Sequence, residues 1–398
     1  MPNTSTQMKF ASAISDELGA TDAADAVVEQ ITANLSETID LALVFISPHH
    51  VDQIEAIQSR LSKGLKPRVL LGMTAEGVIG IENELENHAG LSVLAGSMPQ
   101  AVIRSFYYEE LDWARVLKSP QALGEQINMG DVPARGVLLM ADPFSTPMVK
   151  LLPAMGECWP NVPVIGGMAS AARQPGGNRI LTNDRILSRG AAGILLGGHV
   201  QIDCTVSQGC RPIGKPYVIT KSKRHLVMEL GGRNALEVLQ DMAEDLSRED
   251  KDLMSSNGLF VGRVINEYKE RFGRGDFLIR SLMGVDQSTG YVAIADPQVR
   301  VGQTVQFHVR DAKTAEEDFT MLLEAQKVYG DAYGAALFSC NGRGTRLFGH
   351  PHADAKMVNA ALRDLPLAGC FAAGEIGPIG EENHLHGHTA SLAVFRPD

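Results

Sequence analysis

The sequence predicts an α/β protein of the α+β kind, in which repeated β-α-β-β units form mixed sheets packed face to face with helices outside, an αββα-like arrangement in two domains. Three observations predict it. Largely apolar runs at 41–47, 136–142 and 335–340, broken only by Ser47, Asp142 and Ser339 at or near their ends, have strand length, as expected of strands buried on both faces. Each is followed by a helical segment and then by a second apolar run ending in small residues, at 71–77, 165–171 and 368–374. The spacing also repeats: Gly72 lies 25 positions after Ser47, Gly166 lies 24 after Asp142, and Gly369 lies 29 after Cys340. Self-similarity of this kind marks one unit used three times.

Taken in order, the first strand of each unit ends at a turn signal. In the first unit Ile54, Ile57, Leu61 and Leu65 then follow at helical spacing. A further apolar strand closes each unit, at 91–95, 191–196 and 391–395. After the small-residue turn the chain most simply returns antiparallel, which makes the sheets mixed. A sheet with helices on one face must bury its other face elsewhere, and two sheets packed face to face meet that need. Between the second and third units, Gly231 and Gly232 introduce an amphipathic helix at 234–243. The domain boundary is placed near residue 225, giving domains 1–225 and 226–398. Strands at 277–280, 290–295 and 305–310 and a helix at 315–328 complete the second half.

At 398 residues the chain exceeds what a single core usually supports. Its net charge of -11 and pI of about 5.5 argue against a general nucleic-acid or anionic-membrane surface. The basic run at 221–225 is short and reads as a solvated loop. The N-terminal residues lack a basic segment followed by an apolar one, and no apolar run is long enough to span a bilayer, so a cytoplasmic protein is expected. Five cysteines, odd in number and dispersed, suit reduced thiols. Cys204 and Cys210 have no second pair at zinc-finger spacing.

The reactive chemistry is concentrated in the last sixty or so residues. Cys340 ends a strand and is followed by Asn341, Gly342, Arg343 and Gly344; Glu375 opens a later segment, ahead of His384, His386, His388 and Thr389. The turn after Cys340 offers backbone donors, and a nearby guanidinium favours a thiolate. The same pattern also fits a small buried residue closing a strand. Phe338 stands where a nucleophile elbow needs glycine, which counts against covalent catalysis. Arg280, Arg310 and Arg343 offer forked donors to a ligand carboxylate, with Asp311 or Glu375 for an ammonium group; structural ion pairs would use the same residues. On one strand His384, His386 and His388 would share a face, suited to a transition metal, a haem iron or simply a hydrogen-bonded pocket wall. No C-x-x-C-H attachment motif is present. Glycine pairs at 166–167, 176–177 and 197–198 complete no phosphate-binding fingerprint.

The order Gly-Asp-Phe-Leu-Ile-Arg at 275–280, Val-Gln-Phe-His-Val-Arg-Asp-Ala at 305–312, Leu-Phe-Ser-Cys-Asn-Gly-Arg-Gly at 337–344 and Gly-Glu-Ile-Gly-Pro at 374–378, followed by His386, Gly387, His388 and Thr389, resembles the FIST family (F-box and intracellular signal transduction). The stretches 44–49 and 72–77 resemble the family's N-terminal domain. The resemblance implies a sensory module that binds a small ligand, usually suggested to be an amino acid, and feeds a separate signalling protein. The expected ligand-binding set is Arg280, Arg310, Asp311, Cys340, Asn341, Arg343, Gly344, Glu375, His386, His388 and Thr389. No cofactor is firmly expected; haem stays open, because some bacterial members are reported as haem-binding sensors. A protein-interaction adaptor also stays open, as does an enzyme built on the thiol, carboxylate and histidines. Neither nucleic acid nor membrane is expected as a partner.

Overall fold

Three copies of one chain path make up most of the computed structural model, which describes residues 7–398 apart from Gln126 and Asn128. Residues 1–6, on which the expectation of a leaderless N-terminus partly rests, lie outside the described residues. Copy one runs β1 (Lys9–Ser15), α1 (Ala20–Asn34), β2 (Leu41–Ile46), α2 (Ile54–Leu65), β3 (Val69–Thr74), the hairpin β4 (Gly77–Ile79) and β5 (Glu84–Glu86), then β6 (Leu91–Ser97). Copy two repeats it: β7 (Ala101–Tyr108), the short α3 (Trp113–Val116) and α4 (Pro120–Gly124), β8 (Ala134–Ala141), α5 (Met148–Cys158), β9 (Val164–Met168), β10 (Ile180–Thr182), β11 (Ile186–Leu187) and β12 (Ala191–Gly198).

Copy three opens with β13 (Gln201–Gln208) and is then interrupted. The inserted segment holds β14 (Cys210–Lys223), β15 (Leu226–Leu230), β16 (Arg233–Asn234), α6 (Ala235–Asp245), α7 (Arg248–Asn257), β17 (Leu259–Val264), β18 (Phe277–Asp286), β19 (Tyr291–Ile294) and β20 (Thr304–Arg310). The copy resumes with α8 (Ala312–Gln326), β21 (Gly334–Cys340), α9 (Thr345–Phe348), α10 (Ala353–Ala361), β22 (Leu367–Ala372), β23 (Glu375–Ile379), β24 (Glu382–His386) and β25 (Thr389–Arg396). The compact units follow this interruption: residues up to 206 join 319–398 in the larger unit, and 207–318 form the smaller. They are drawn elsewhere than the boundary expected near residue 225, because an insertion joins segments distant in sequence.

In each copy the two central strands are parallel and in one register, with Val44 opposite Gly72, Leu139 opposite Gly166 and Leu337 opposite Gly369. The closing strand lies antiparallel on the other side of the first strand. The hairpins do not stay at home. The sheets have the orders β1-β6-β2-β3-β10-β11, β7-β12-β8-β9-β23-β24 and β13-β25-β21-β22-β4-β5, so each takes its last two strands from another copy, in a cycle.

The mixed sheets and outer helices are as the sequence predicts, with three sheets around one core rather than two facing each other. Leu41, Leu43 and Phe45 of β2 point into an inner core shared with Met140 and Phe338, while Val44 and Ile46 meet α1 and α2 outside. Phe45 and Phe338 meet edge to face at 5.6 Å. Separate outer cores cover the other two sheets. Both faces of these strands are therefore buried, which is why their sequences are predominantly apolar.

The repeated glycines are demanded by the parallel pairs. A Cβ on Gly72, Gly166 or Gly369 would stand 2.7, 1.8 or 2.1 Å from the carbonyl oxygen of Val44, Leu139 or Leu337. Since backbone cannot yield as a side-chain tip can, Gly369→Ala is expected to lower stability by about 1–3 kcal/mol. An unchanged urea midpoint would show that the strands separate freely.

The smaller unit is a seven-stranded sheet, β14-β20-β17-β18-β19-β15-β16, with α6 and α7. Ile213, Val261, Val305 and Phe307 lie in its core, and Asn234 caps α6 by accepting from the Leu236 amide at 3.0 Å. Among the described residues no helix is long and apolar enough to cross a membrane.

Candidate functional site

The threefold repeat supplies its own control. The shared register makes Ser47, Asp142 and Cys340 equivalent, each three positions beyond Val44, Leu139 and Leu337. On the hairpins it aligns three cross-strand pairs: Val78 with Leu85, Ile180 with Leu187, and Glu375 with His386. The first two pairs are hydrophobic. In the third, a carboxylate with no exposure stands where the other copies place valine and isoleucine. Burying such a group is costly unless it is well paired, so packing alone does not explain it.

Glu375 is surrounded by polar groups from copy three. Its Oε2 accepts from the Thr389 amide at 3.1 Å and from Thr389 Oγ1 at 2.9 Å. Burial pushes its carboxyl up to about 8, against the Thr389 donors, the nearby Arg343 charge and a hydrogen bond with the Cys340 side chain. Its Oε1, also buried, meets no nitrogen or oxygen donor among the described residues. Cys340 ends β21 and is 6% exposed, and the Gly342 amide donates to its Sγ at 3.4 Å. Cys370, on the neighbouring strand, has its thiol pushed well up by burial and then by Glu375.

Arg343 is buried and commits two of its nitrogens to Asp354 of α10: Nε donates to Oδ2 at 2.9 Å and Nη2 to Oδ1 at 2.7 Å. Ser339 Oγ donates to the same Oδ2 at 2.6 Å. The Phe348 and Phe319 rings flank the guanidinium at 5.3 and 5.8 Å. Burial opposes its charge, but Asp354 and then Cys340 and Glu375 outweigh that and hold it protonated. Its remaining Nη1 is buried without a hydrogen-bond partner among the described residues. Glu84, from the copy-one hairpin, completes the cluster: its Oε1 accepts from the Ala355 amide at 2.9 Å, and burial, followed by the charge of Asp354, raises its carboxyl.

Beside this cluster opens a small cleft lined by Glu76, Glu86, Asn87, Asn341, Arg346 and Phe371. Its enclosed volume is about 10 Å³, room for one water. Arg346 donates to the Asn341 carbonyl at 2.6 Å and to the Glu76 carboxylate, and Glu86 accepts from the Thr345 amide and hydroxyl, both at 2.9 Å. Gly344 has φ 56°, and a Cβ there would stand 2.7 Å from the Glu86 carboxylate. Glycine is therefore required for this contact.

Two family models match in sequence: the FIST N domain over residues 40–233 and the FIST C domain over 235–378. The chain belongs to the FIST family. FIST domains are signal-transduction sensory domains. An uncharacterized protein of Mycobacterium tuberculosis is 38% identical over 358 residues, 89% of this chain and 91% of its own length. Another, of Mycobacterium bovis, is 39% identical over 365 residues, covering 91% and 92%. Among solved structures, a cyanuric acid hydrolase aligns with a TM-score of 0.33 and 7% identity, covering 98% of this chain and all of that one.

The FIST C match begins in the inserted unit and continues into the larger one, and the residues expected to bind divide accordingly. Cys340, Asn341, Arg343, Gly344, Glu375, His386, His388 and Thr389 lie in the larger unit; Arg280, Arg310 and Asp311 lie in the smaller. There Arg280 lies 3.5 Å from Asp296, which also takes Arg263 at 2.8 Å, and the Arg310 carbonyl accepts from Asn257. Asp311 accepts from Arg211 at 3.0 Å, from Thr314 at 2.7 Å and from the Lys313 amide, and so starts α8. Arg280 and Asp311 thus stand in ion pairs within their own unit.

The three histidines that follow the FIST C match do not share one strand. β24 ends at His386, and His388 has φ 64° in the turn before β25. His386 is buried, with Nε2 3.0 Å from the Gly377 carbonyl, so ligating iron through that nitrogen would forfeit the bond. The His384 ring lies 6.1 Å away. Among the described residues no three His, Cys, Asp or Glu side chains are placed to hold a metal ion. Sequence reading missed Asp354, Glu84, Glu76, Glu86 and Arg346. Four of these are carboxylates that look like ordinary surface charges, three of them carried in from copy one.

Proposed function

We propose that this sensory protein recognises a small zwitterionic metabolite, an amino acid in the first instance, at the cleft beside Asn341. One observation carries the reading: the half-exposed Arg346 guanidinium is paired with the Glu76 carboxylate, with Glu86 alongside, at the mouth of the buried copy-three cluster. A ligand carboxylate would replace Glu76 on Arg346 in forked geometry, and the ligand's ammonium would take the displaced carboxylate. One ion pair thus becomes two. The cleft holds only about one water, so binding requires it to open, separating Glu76 of copy one from Arg346 of copy three. The ligand would thereby shift a closed population toward an open one that a separate signalling protein reads.

Calorimetry with amino acids and with their deaminated and decarboxylated analogues tests this. Binding should need both charges, and Arg346→Ala should weaken it by about tenfold or more, as expected for a lost charge-assisted hydrogen bond. A flat response throughout, or undiminished binding by Arg346→Ala, would overturn the reading.

A further inference from the structure

We infer that Cys340 is a hydroperoxide-reactive thiol, with Arg343 as the donor that holds the peroxide and Glu375 as the group that carries the proton. This goes beyond the zwitterion reading and does not depend on it. Several independent placements support it. Cys340 is the only one of the three register-equivalent residues that is a thiol, and Glu375 is the only carboxyl at its hairpin position. Two buried polar atoms, Arg343 Nη1 and Glu375 Oε1, meet no nitrogen or oxygen partner among the described residues, and both side chains interact with Cys340. The guanidinium nitrogen, an unpaired donor in a packed interior, calls for a small polar acceptor. The Gly342 amide already donates to Sγ, as a developing thiolate requires. The adjoining cleft is lined by Asn341 and Phe371, the chain neighbours of Cys340 and Cys370, and its room for one water means that it must widen to pass even hydrogen peroxide, which favours the smallest oxidant over bulky ones.

The chemistry balances with the peroxide as oxidant. Glu375 acts in its ionised form, the smaller share below its raised value of about 8 and one that grows as the pH approaches it: the carboxylate accepts the thiol proton, and Sγ attacks one peroxide oxygen as the O–O bond breaks. The departing oxygen then takes the proton from Glu375 and leaves as water. Sulfur is oxidised to the sulfenic acid, the peroxide is reduced, and Glu375 is regenerated. Its raised proton affinity suits a group that must hold and then release that proton. Cys370 is no ready resolving partner, because its thiol is held strongly protonated, so the sulfenic acid is the product.

The test treats the full-length protein with stoichiometric hydrogen peroxide in the presence of a sulfenic-acid trap and maps the adduct by peptide mass spectrometry. Cys340 should be labelled ahead of the more exposed Cys158 and Cys204, and faster than the same cysteine in urea-unfolded protein. Cys340→Ser should remove that adduct. Glu375→Gln, shown to be folded by its thermal melt, should slow labelling on the order of a hundredfold. Labelling that favours Cys158 or Cys204, or a Cys340 rate no greater folded than unfolded, would overturn the inference. So would an unchanged rate in folded Glu375→Gln.

Discussion

Asp354→Ala is expected to destabilise the protein by about 3–5 kcal/mol, the cost of leaving one partner of a buried ion pair alone. Asp354 has no exposure and Arg343 has 1%, and the two are joined by bidentate hydrogen bonds of 2.9 and 2.7 Å. With the carboxylate gone, the guanidinium keeps its charge, since burial does not bring an arginine within reach of neutral pH. Nη1 has no hydrogen-bond partner to begin with, so the fork would be left almost bare. Ser339 would lose its acceptor as well. Arg343→Lys should not rescue the site, because an ammonium cannot reproduce the fork. Removing both charges together, as Arg343→Met with Asp354→Leu, should recover much of the loss, because the desolvation cost disappears with the pair. Urea denaturation of the two single variants and the double variant measures this. A single-variant loss below about 1 kcal/mol would mean that solvent reaches the pair, as at exposed pairs.

That result also bears on what the sequence can reveal. Strands such as β2 and β21 were legible because both faces are buried and nearly every residue is apolar. The helices were legible from spacing such as Ile54, Ile57, Leu61 and Leu65. The destination of the hairpins was not. β4 carries the same local pattern whether it pairs with β3 or, as it does, with β22. The site suffered for the same reason. Cys340, Arg343 and Glu375 stand out as residue types and do converge, but Glu84, Glu76 and Glu86 reach the third copy only through the hairpin exchange, which no local signal announces. Arg343 was legible as a forked donor, yet its partner Asp354 sits in a helix where an aspartate is unremarkable. The Glu375 and His386 pair becomes conspicuous only when set against Val78 with Leu85 and Ile180 with Leu187, a comparison that needs the register.

The second large effect concerns pH and follows from Glu375. Its ordinary value is 4.5, and burial pushes the folded-state value up to about 8. Below about pH 4.5 the carboxyl is protonated in both states and its contribution is fully present. Between 4.5 and 8 the unfolded chain has lost the proton while the folded chain keeps it, so stability falls as pH rises, by about 1.4 kcal/mol for each unit. Above 8 both states are ionised and the loss is complete. Glu84, raised by burial and by the charge of Asp354, acts in the same direction. The groups facing Glu375 limit the fall without reversing it: Arg343 and the Thr389 donors favour the ionised form, and Cys340 hydrogen-bonds to it. Glu375→Gln keeps the size and removes the titration. Its stability relative to the native chain should therefore climb through this window by several kcal/mol, read from denaturation midpoints at pH 5, 6, 7 and 8. Parallel curves would mean that Glu375 is ionised throughout, with Arg343 outweighing burial. In that case it could still take the thiol proton from Cys340, but its affinity for that proton would be too low to make it an effective carrier to the departing oxygen.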